Sequence, residues 1–293
     1  MQRRLFSTGR RLLSHENPLG LPRSGAPPQI PRMQRGLPKK QNIRDVKHVV
    51  AVSSAKGGVG KSTIAVNLAL SLARLGHRTG ILDTDIFGPS IPTLLNLSGE
   101  PRLTEDNRLI PLQNYGLPSM SMGYLVPESS PVVWRGLMVQ KALQQLLFSV
   151  AWPSLDILIL DLPPGTGDVQ LTITQSIHLS GALIVSTPQD LSLKDAIRGV
   201  EMFKKVDVKI LGMVQNMSVF RCEACGHEQH IFGTDGVKQK CEELGIKLLG
   251  DVPLHARICD DADGGRPTVV AEPESERAAA FRGIAERVAD EVG

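Results

Sequence analysis

The chain has 293 residues, enough for one large α/β domain with an ample buried core and a tail. Its formal charge of +3 is unevenly spread: residues 1–44 hold ten Arg or Lys against the single acid Glu16, a balance of +9, while the remainder holds 23 basic against 29 acidic residues, a balance of −6. An acidic body excludes a nucleic-acid partner, because phosphate contacts need a basic surface on the folded part, no apolar run approaches the ~18 residues of a membrane span, and four cysteines do not describe a disulfide scaffold.

At the start, Arg3, Arg4, Arg10 and Arg11 repeat with a spacing of seven, and Leu5, Phe6, Leu12 and Leu13 do the same. At about 100° per residue the arginines gather on one side of a helix and the apolar residues on the other. Residues 1–16 therefore read as a mitochondrial transit peptide, which is Arg-rich, acid-poor and amphipathic; a basic disordered arm is the plainer alternative. Residues 17–42, with many Pro, Gly and basic residues, read as a flexible linker. One domain is expected over residues 43–293.

Within it, Val49-Val50-Ala51-Val52 predicts a strand and Ile64-Ala65-Val66-Asn67-Leu68-Ala69-Leu70 a helix. Between them stands Ser53-Ser54-Ala55-Lys56-Gly57-Gly58-Val59-Gly60-Lys61-Ser62-Thr63, the strand, loop and helix context of a phosphate-binding loop. Gly57, Gly58 and Gly60 lack a Cβ, so the backbone can curl with its N–H groups turned inward. The following helix adds unpaired N–H groups and its positive dipole end. Lys61 is placed to reach the β- and γ-phosphates of ATP, and the Ser62 hydroxyl to ligate Mg²⁺. Val59 and Thr63 complete the loop. A glycine-rich turn is the bland alternative, and the Lys61-Ser62 pair argues against it.

The full pattern has Gly where this chain has Ala55, and a second lysine, Lys56, stands inside the loop, where one positive charge repels the other. Lys-Gly-Gly-Val-Gly-Lys-Ser-Thr resembles the deviant P-loop of the family that includes MinD, ParA, the nitrogenase iron protein and the Mrp-type iron-sulfur carriers. In that family the extra lysine reaches across a dimer interface to the partner's nucleotide. The resemblance therefore implies a homodimer with Lys56 acting in trans and a weak ATPase.

Thr79-Gly80-Ile81-Leu82-Asp83 reads as the next strand, with Asp83 and Asp85 at its carboxyl end. Strand alternation would send both acids the same way, toward the end where α/β proteins bind ligands. By the resemblance this stretch is the first switch: Asp85 orients the attacking water and Asp83 stands behind Mg²⁺. Acids ending a strand are also common turn residues or helix caps. Residues 97–133 carry prolines and turn signals and suggest a short hairpin or lid. A helix follows from about Arg135 to Val150, with Leu137, Met138, Ala142, Leu146 and Leu147 as its core stripe; Val133-Trp134-Arg135-Gly136 before it resembles a segment of the Mrp-type carriers.

The apolar strand Leu155–Asp161 ends in an acid and leads into Leu162-Pro163-Pro164-Gly165-Thr166-Gly167-Asp168. This fits the second half of a nucleoside-triphosphate site, with Asp161 holding Mg²⁺ through water and the loop sensing the γ-phosphate. Gly165 and Gly167 let that loop change conformation at little steric cost. A strand at 182–187, a helix near 193–205 and a strand at 209–215 follow. Repeated alternation makes a doubly wound, mostly parallel sheet flanked by helices the expected architecture, a P-loop NTPase fold. Asn216 closes the last of these strands, and the resemblance makes it a reader of the adenine edge.

Cys222-Glu223-Ala224-Cys225 leaves the αβ rhythm in an insertion near 218–232. Two cysteines at this spacing can turn both thiolates to one metal. On spacing alone four readings compete: a single-chain Zn²⁺ site with His227 and His230, a cluster shared by two chains, a redox dithiol, or an incidental pair. Zinc comes first on that footing, because the histidines are at hand and one motif cannot supply four thiolates. The segment also strongly resembles the Mrp-type carriers, in which paired cysteines hold a labile 4Fe-4S cluster at the subunit interface, and the dimer implied by Lys56 brings two pairs together. The resemblance thus favours the bridging cluster and leaves His227 and His230 structural. Cys241 and Cys259 read as small, partly buried apolar residues.

A final helix over about 276–292 lacks the basic face opposite a bulky apolar one that a membrane anchor would show, which weighs against a MinD-like membrane ATPase and leaves only peripheral association open. The resemblance covers roughly residues 43–275 and, with the transit-like start, is greatest for the mitochondrial nucleotide-binding protein-like type. It implies an ATP-dependent carrier in the mitochondrial matrix that binds a 4Fe-4S cluster, ATP and Mg²⁺ and delivers the cluster to apo-proteins of respiratory complex I. The alternative is a zinc-stabilised P-loop ATPase of the ParA/MinD positioning type.

Overall fold

The computed structural model describes residues 40–125 and 136–293. The transit-peptide reading, most of the linker and the Val133-Trp134-Arg135 resemblance lie outside the described residues. In chain order the elements are β1 (Val46–Ser53), α1 (Lys61–Arg74), β2 (Thr79–Asp83), α2 (Ile91–Leu94), β3 (Leu112–Asn114), β4 (Leu117–Ser121), α3 (Gly136–Phe148), β5 (Leu155–Asp161) and α4 (Asp168–Ser176). They continue with β6 (Gly181–Ser186), α5 (Asp190–Lys205), β7 (Ile210–Arg221), β8 (Glu228–Gln229), α6 (Gly236–Leu244), β9 (Leu248–Leu254), α7 (Ala256–Asp263), α8 (Thr268–Ala271) and α9 (Glu276–Val292).

The strands form one sheet in the order β3-β4-β2-β5-β1-β6-β7-β8, with β9 also paired to β7. All the pairings are parallel except β3 with β4 and β7 with β8. The apolar runs explain this. Val49–Ser53, Thr79–Asp83 and Gly181–Ser186 are buried throughout, as strands covered by helices on both faces must be. Along β1, Val49 and Ala51 join the core on one face, beneath α3 to α6, while Val50 and Val52 join the other, beneath α1, α2, α8 and α9. The expected doubly wound architecture is what forms. β1 lies between β5 and β6, so its carboxyl end opens where the winding reverses, the usual ligand crevice of such sheets.

The stretch after residue 97 contains the expected hairpin, β3 and β4, closed by Tyr115 and Gly116, both at positive φ (51° and 77°) as a two-residue hairpin turn requires. Beyond the turn, β4 runs parallel to β2 and becomes part of the sheet. In α3 the expected stripe holds at Leu146 and Leu147, which are buried, and Val139 and Leu143 join them, whereas Met138 is 46% exposed and Ala142 half-buried; the Leu137 side chain lies outside the described residues. Met138 adjoins Val139, about 100° away around the helix, and so faces outward. Gln41, inside the expected linker, bridges to Ile177.

Candidate functional site

β1 delivers the phosphate-binding loop at its carboxyl end and α1 begins at Lys61. Gly60 precedes it at φ 80°, without a side-chain cap and without an acid in the first helical turn. The first N–H groups of α1 are therefore open to an anion, and nothing negative competes for them. Gly58 (φ 79°) and Gly60 occupy left-handed backbone, where a Cβ is strained. Gly57 does not, and a Cβ there would come no nearer than 4.0 Å to Pro164; its expected need for glycine is not conformational. The Ser54 hydroxyl braces the loop by donating to the Lys56 carbonyl at 2.9 Å. The Lys56 side chain is half-buried, and its ammonium makes no ion pair among the described residues.

Lys61 is buried and its Nζ lies 2.5 Å from Asp161 Oδ1 at the end of β5, and 3.2 Å from Ser62 Oγ. Burial pushes the Asp161 carboxyl up, opposed by the Lys61 ammonium beside it. Asp161 Oδ2 is buried without a hydrogen-bond partner among the described residues. The loop after β5 is moored to the phosphate loop, since Gly165 N donates to the Ser54 carbonyl at 3.0 Å. Gln170 donates to the Pro163 carbonyl at 2.5 Å and to Ser53 Oγ at 3.2 Å.

Asp83 and Asp85 separate, contrary to the alternation expected for them. β2 ends at Asp83, so Asp85 lies in the loop beyond the strand. Asp83 is fully buried and its carboxylate accepts from Asp85 N (3.0 Å), Ser90 N (3.1 Å), Ile91 N (3.2 Å) and Ser121 Oγ (3.1 Å). Burial, with Asp161 nearby, pushes its pKa up to about 7. Asp83 thus holds the loop and the start of α2. Asp85, half-buried, accepts from Phe87 N and Gly88 N and lines the cavity with Ser62.

That cavity, about 590 Å³, is bounded by the phosphate loop, Asp85, Pro164, the Asn216-Met217 pair and the stretch from Pro253 into α7. Asn216 does not close its strand: β7 continues to Arg221. Its Nδ2 donates to the Val59 carbonyl at 2.8 Å, and a Cβ on Gly60 would fall 2.2 Å from that nitrogen. Met217 follows at φ 56°, a left-handed step inside a strand, where the register with β9 breaks. The strain is spent on re-aiming the last residues of β7.

Those residues carry the cysteine turn. Phe220 and Arg221 pair antiparallel with Gln229 and Glu228, so the insertion is a hairpin. Cys222 N donates to the His227 carbonyl (3.0 Å) and Gly226 N to the Cys222 carbonyl (2.8 Å), with Gly226 at φ 70°. The backbone N–H groups of Cys225 and Ala224 turn toward the Cys222 sulfur and lower its pKa. His230 Nδ1 lies 3.1 Å from the Ser218 carbonyl, and among the described residues no three His, Cys, Asp or Glu side chains stand together as a metal set. Cys222 and Cys225 thus stand together at the turn without a third such side chain grouped with them among the described residues. Cys241 is buried as expected, whereas Cys259 is exposed, because α7 buries none of its residues.

His255 was not singled out by sequence reasoning. It lines the cavity, caps α7 by accepting from Arg257 N at 3.1 Å, and lies 3.5 Å from Glu223 within the cysteine turn. The local signal was its position directly before a short helix, where a capping side chain is wanted.

Comparison with known proteins supplies the family. A profile described as ParA: NUBPL iron-transfer P-loop NTPase matches residues 45–289. The mouse protein named iron-sulfur cluster transfer protein NUBPL is 54% identical over 258 residues, 87% of this chain and 81% of the mouse protein. An Arabidopsis thaliana protein named iron-sulfur protein required for NADH dehydrogenase, mitochondrial, is 47% identical over 254 residues, 86% of this chain and 81% of its own. Among solved structures, a nucleotide-binding protein of Archaeoglobus fulgidus in complex with ADP matches with a TM-score of 0.71 and 34% identity, over 82% of this chain and 94% of that one.

Proposed function

The chain belongs to the NUBPL iron-transfer P-loop NTPase family, and from that premise we propose that it is an ATP-dependent iron-sulfur cluster carrier of mitochondria, serving the assembly of respiratory complex I. The observation that carries the reading is the build of β7, which bonds the phosphate loop through Asn216 and bears a turn with two thiol ligands at its tip.

In this reading Lys61 and the open N–H groups of α1, with Gly57, Gly58, Val59, Gly60 and Thr63 shaping the loop, hold the phosphates of ATP. Ser62 Oγ and Asp161 Oδ2, which has no hydrogen-bond partner among the described residues, suit a hard, oxygen-seeking ion and would hold Mg²⁺, which neutralises phosphate charge when bound. Asp85 orients the water that attacks the γ-phosphate, Asp83 fixes the loop bearing Asp85, and Asn216 faces the nucleotide side of the cavity. Lys56, which makes no ion pair among the described residues, reaches the nucleotide of a second copy. ATP closes a homodimer whose two Cys222 and Cys225 pairs supply the four thiolates of a 4Fe-4S cluster; slow hydrolysis to ADP and phosphate reopens it, and the cluster passes to an apo-protein in the matrix. Residues 1–16 act as the transit segment, residues 17–42 as the linker and residues 43–293 as the carrier domain.

A zinc-stabilised positioning ATPase is supported less well, since His230 is directed to the backbone of β7 rather than to the cysteines. Anaerobic reconstitution tests the proposal. Stoichiometric iron and sulfide in a dimer, with visible cluster absorption lost in the Cys222→Ala, Cys225→Ala double variant, is the expected result; absorption that survives in the double variant would sink it.

A further inference from the structure

The last residue of β9, Leu254, is paired with Phe220 of β7, so the strand leading into His255 ends beside the strand leading into Cys222. His255 uses both of its ring nitrogens. Nδ1 accepts the Arg257 N–H at the start of α7, at 3.1 Å. A nitrogen that accepts carries no hydrogen, so in the neutral ring the proton sits on Nε2. That atom lies 3.5 Å from Glu223 Oε1 and 3.3 Å from Arg277 Nη1. Nε2 thus meets the Glu223 carboxylate at contact distance and the Arg277 guanidinium beside it, so the ring is the point where the cysteine turn, the start of α7 and α9 come together. The Arg277 guanidinium is also held by Glu272. The ring is largely enclosed, 18% exposed, while Glu223 is 75% exposed.

Glu223 stands between the two cysteines, and His255 also lines the cavity of the phosphate loop. We propose that His255 is a positioning residue that couples the nucleotide cavity to the cysteine turn within a single subunit, before any dimer forms. The inference rests on the nucleotide reading of that cavity. Nucleotide in the cavity fixes the start of α7, the fixed ring holds Glu223, and Glu223 holds the turn, so the thiols become less accessible.

The test uses the full-length protein, reduced and metal-free, with ADP and Mg²⁺ as the ligand and the iodoacetamide alkylation rates of Cys222 and Cys225 as the readout, followed by peptide mass spectrometry. ADP affinity is measured in parallel by calorimetry. In the wild type ADP slows alkylation about fivefold, the low end of ordinary coupling between sites. Glu223→Ala, which lies outside the cavity, binds ADP as the wild type does but shows equal rates with and without it; Glu223→Gln, which keeps the acceptor oxygen, retains the effect; His255→Asn loses it. Bound ADP with an unchanged alkylation rate in the wild type, or an undiminished effect in Glu223→Ala, overturns the coupling alone. Failure of the wild type to bind ADP overturns the nucleotide reading and the coupling together.

Discussion

Asn216 Nδ2 donates to the Val59 carbonyl at 2.8 Å, joining residues 157 positions apart and fastening β7 to the phosphate loop. Asn216→Ala leaves a buried carbonyl without its donor, a loss of about 1–3 kcal/mol. Urea unfolding should register that loss, and ADP affinity should fall with it. A variant with unchanged midpoint and affinity would show that the bond is idle.

The glycines of the loop should separate. Gly60→Ala places a methyl 2.2 Å from Asn216 Nδ2 at φ 80° and is expected to cost more than about 2 kcal/mol. Gly57→Ala, with no atom nearer than 4.0 Å and ordinary backbone, should stay within about 0.5 kcal/mol of the wild type. Chemical denaturation of the pair decides the matter, and equal losses would contradict the geometry.

Lys56→Ala should lower the dimer fraction seen by light scattering when ATP is added under conditions that block hydrolysis. An unchanged mass would remove the trans role assigned to Lys56.

At the far end of the sheet, Glu291 joins Lys209 and Lys247, and these ammonium groups lower its pKa to about 2. A carboxylate depressed on folding adds stability above its unfolded pKa and forfeits it as pH falls through the folded value. Glu291→Gln should therefore be less stable than the wild type at pH 7, and the gap should narrow as pH drops from 4.5 toward 2. A gap independent of pH over that window would exclude the ion pairs as its source.

Cys241 and Cys259 make a simple contrast. Cys241 is buried, with its pKa raised to about 11, and should resist alkylation until the protein unfolds; Cys259 on α7 is exposed and should react in the native state. Peptide mass spectrometry distinguishes the two, and early labelling of Cys241 would contradict the packing of α6.

The fold was largely legible because its strands are buried on both faces. Continuous apolar runs such as Val49–Val52, punctuated by glycine loops and helical periods, admit few other arrangements. The phosphate loop was legible because its residues are contiguous. What could not be read depends on partners remote in sequence. Asp83 looked like a ligand-facing acid, but Ser121, 38 residues away, Ser90 and Ile91 claim its carboxylate. Asn216 looked like a strand terminator, and only the contact with Val59 reveals a tether inside a longer strand. Met138 was misplaced for a local reason, since a run rich in Leu, Met and Val supports two adjacent helical faces and the core around Val139, Leu143, Leu146 and Leu147 selects one.

None of residues 219–230 is buried, and β8 is two exposed residues long. The cysteine hairpin therefore lends no side chain to either core. Its composition can change without removing a side chain from either core. On such a scaffold the strand tip and the packed body are separable, and a chain without its two hairpin cysteines would keep the whole of both cores.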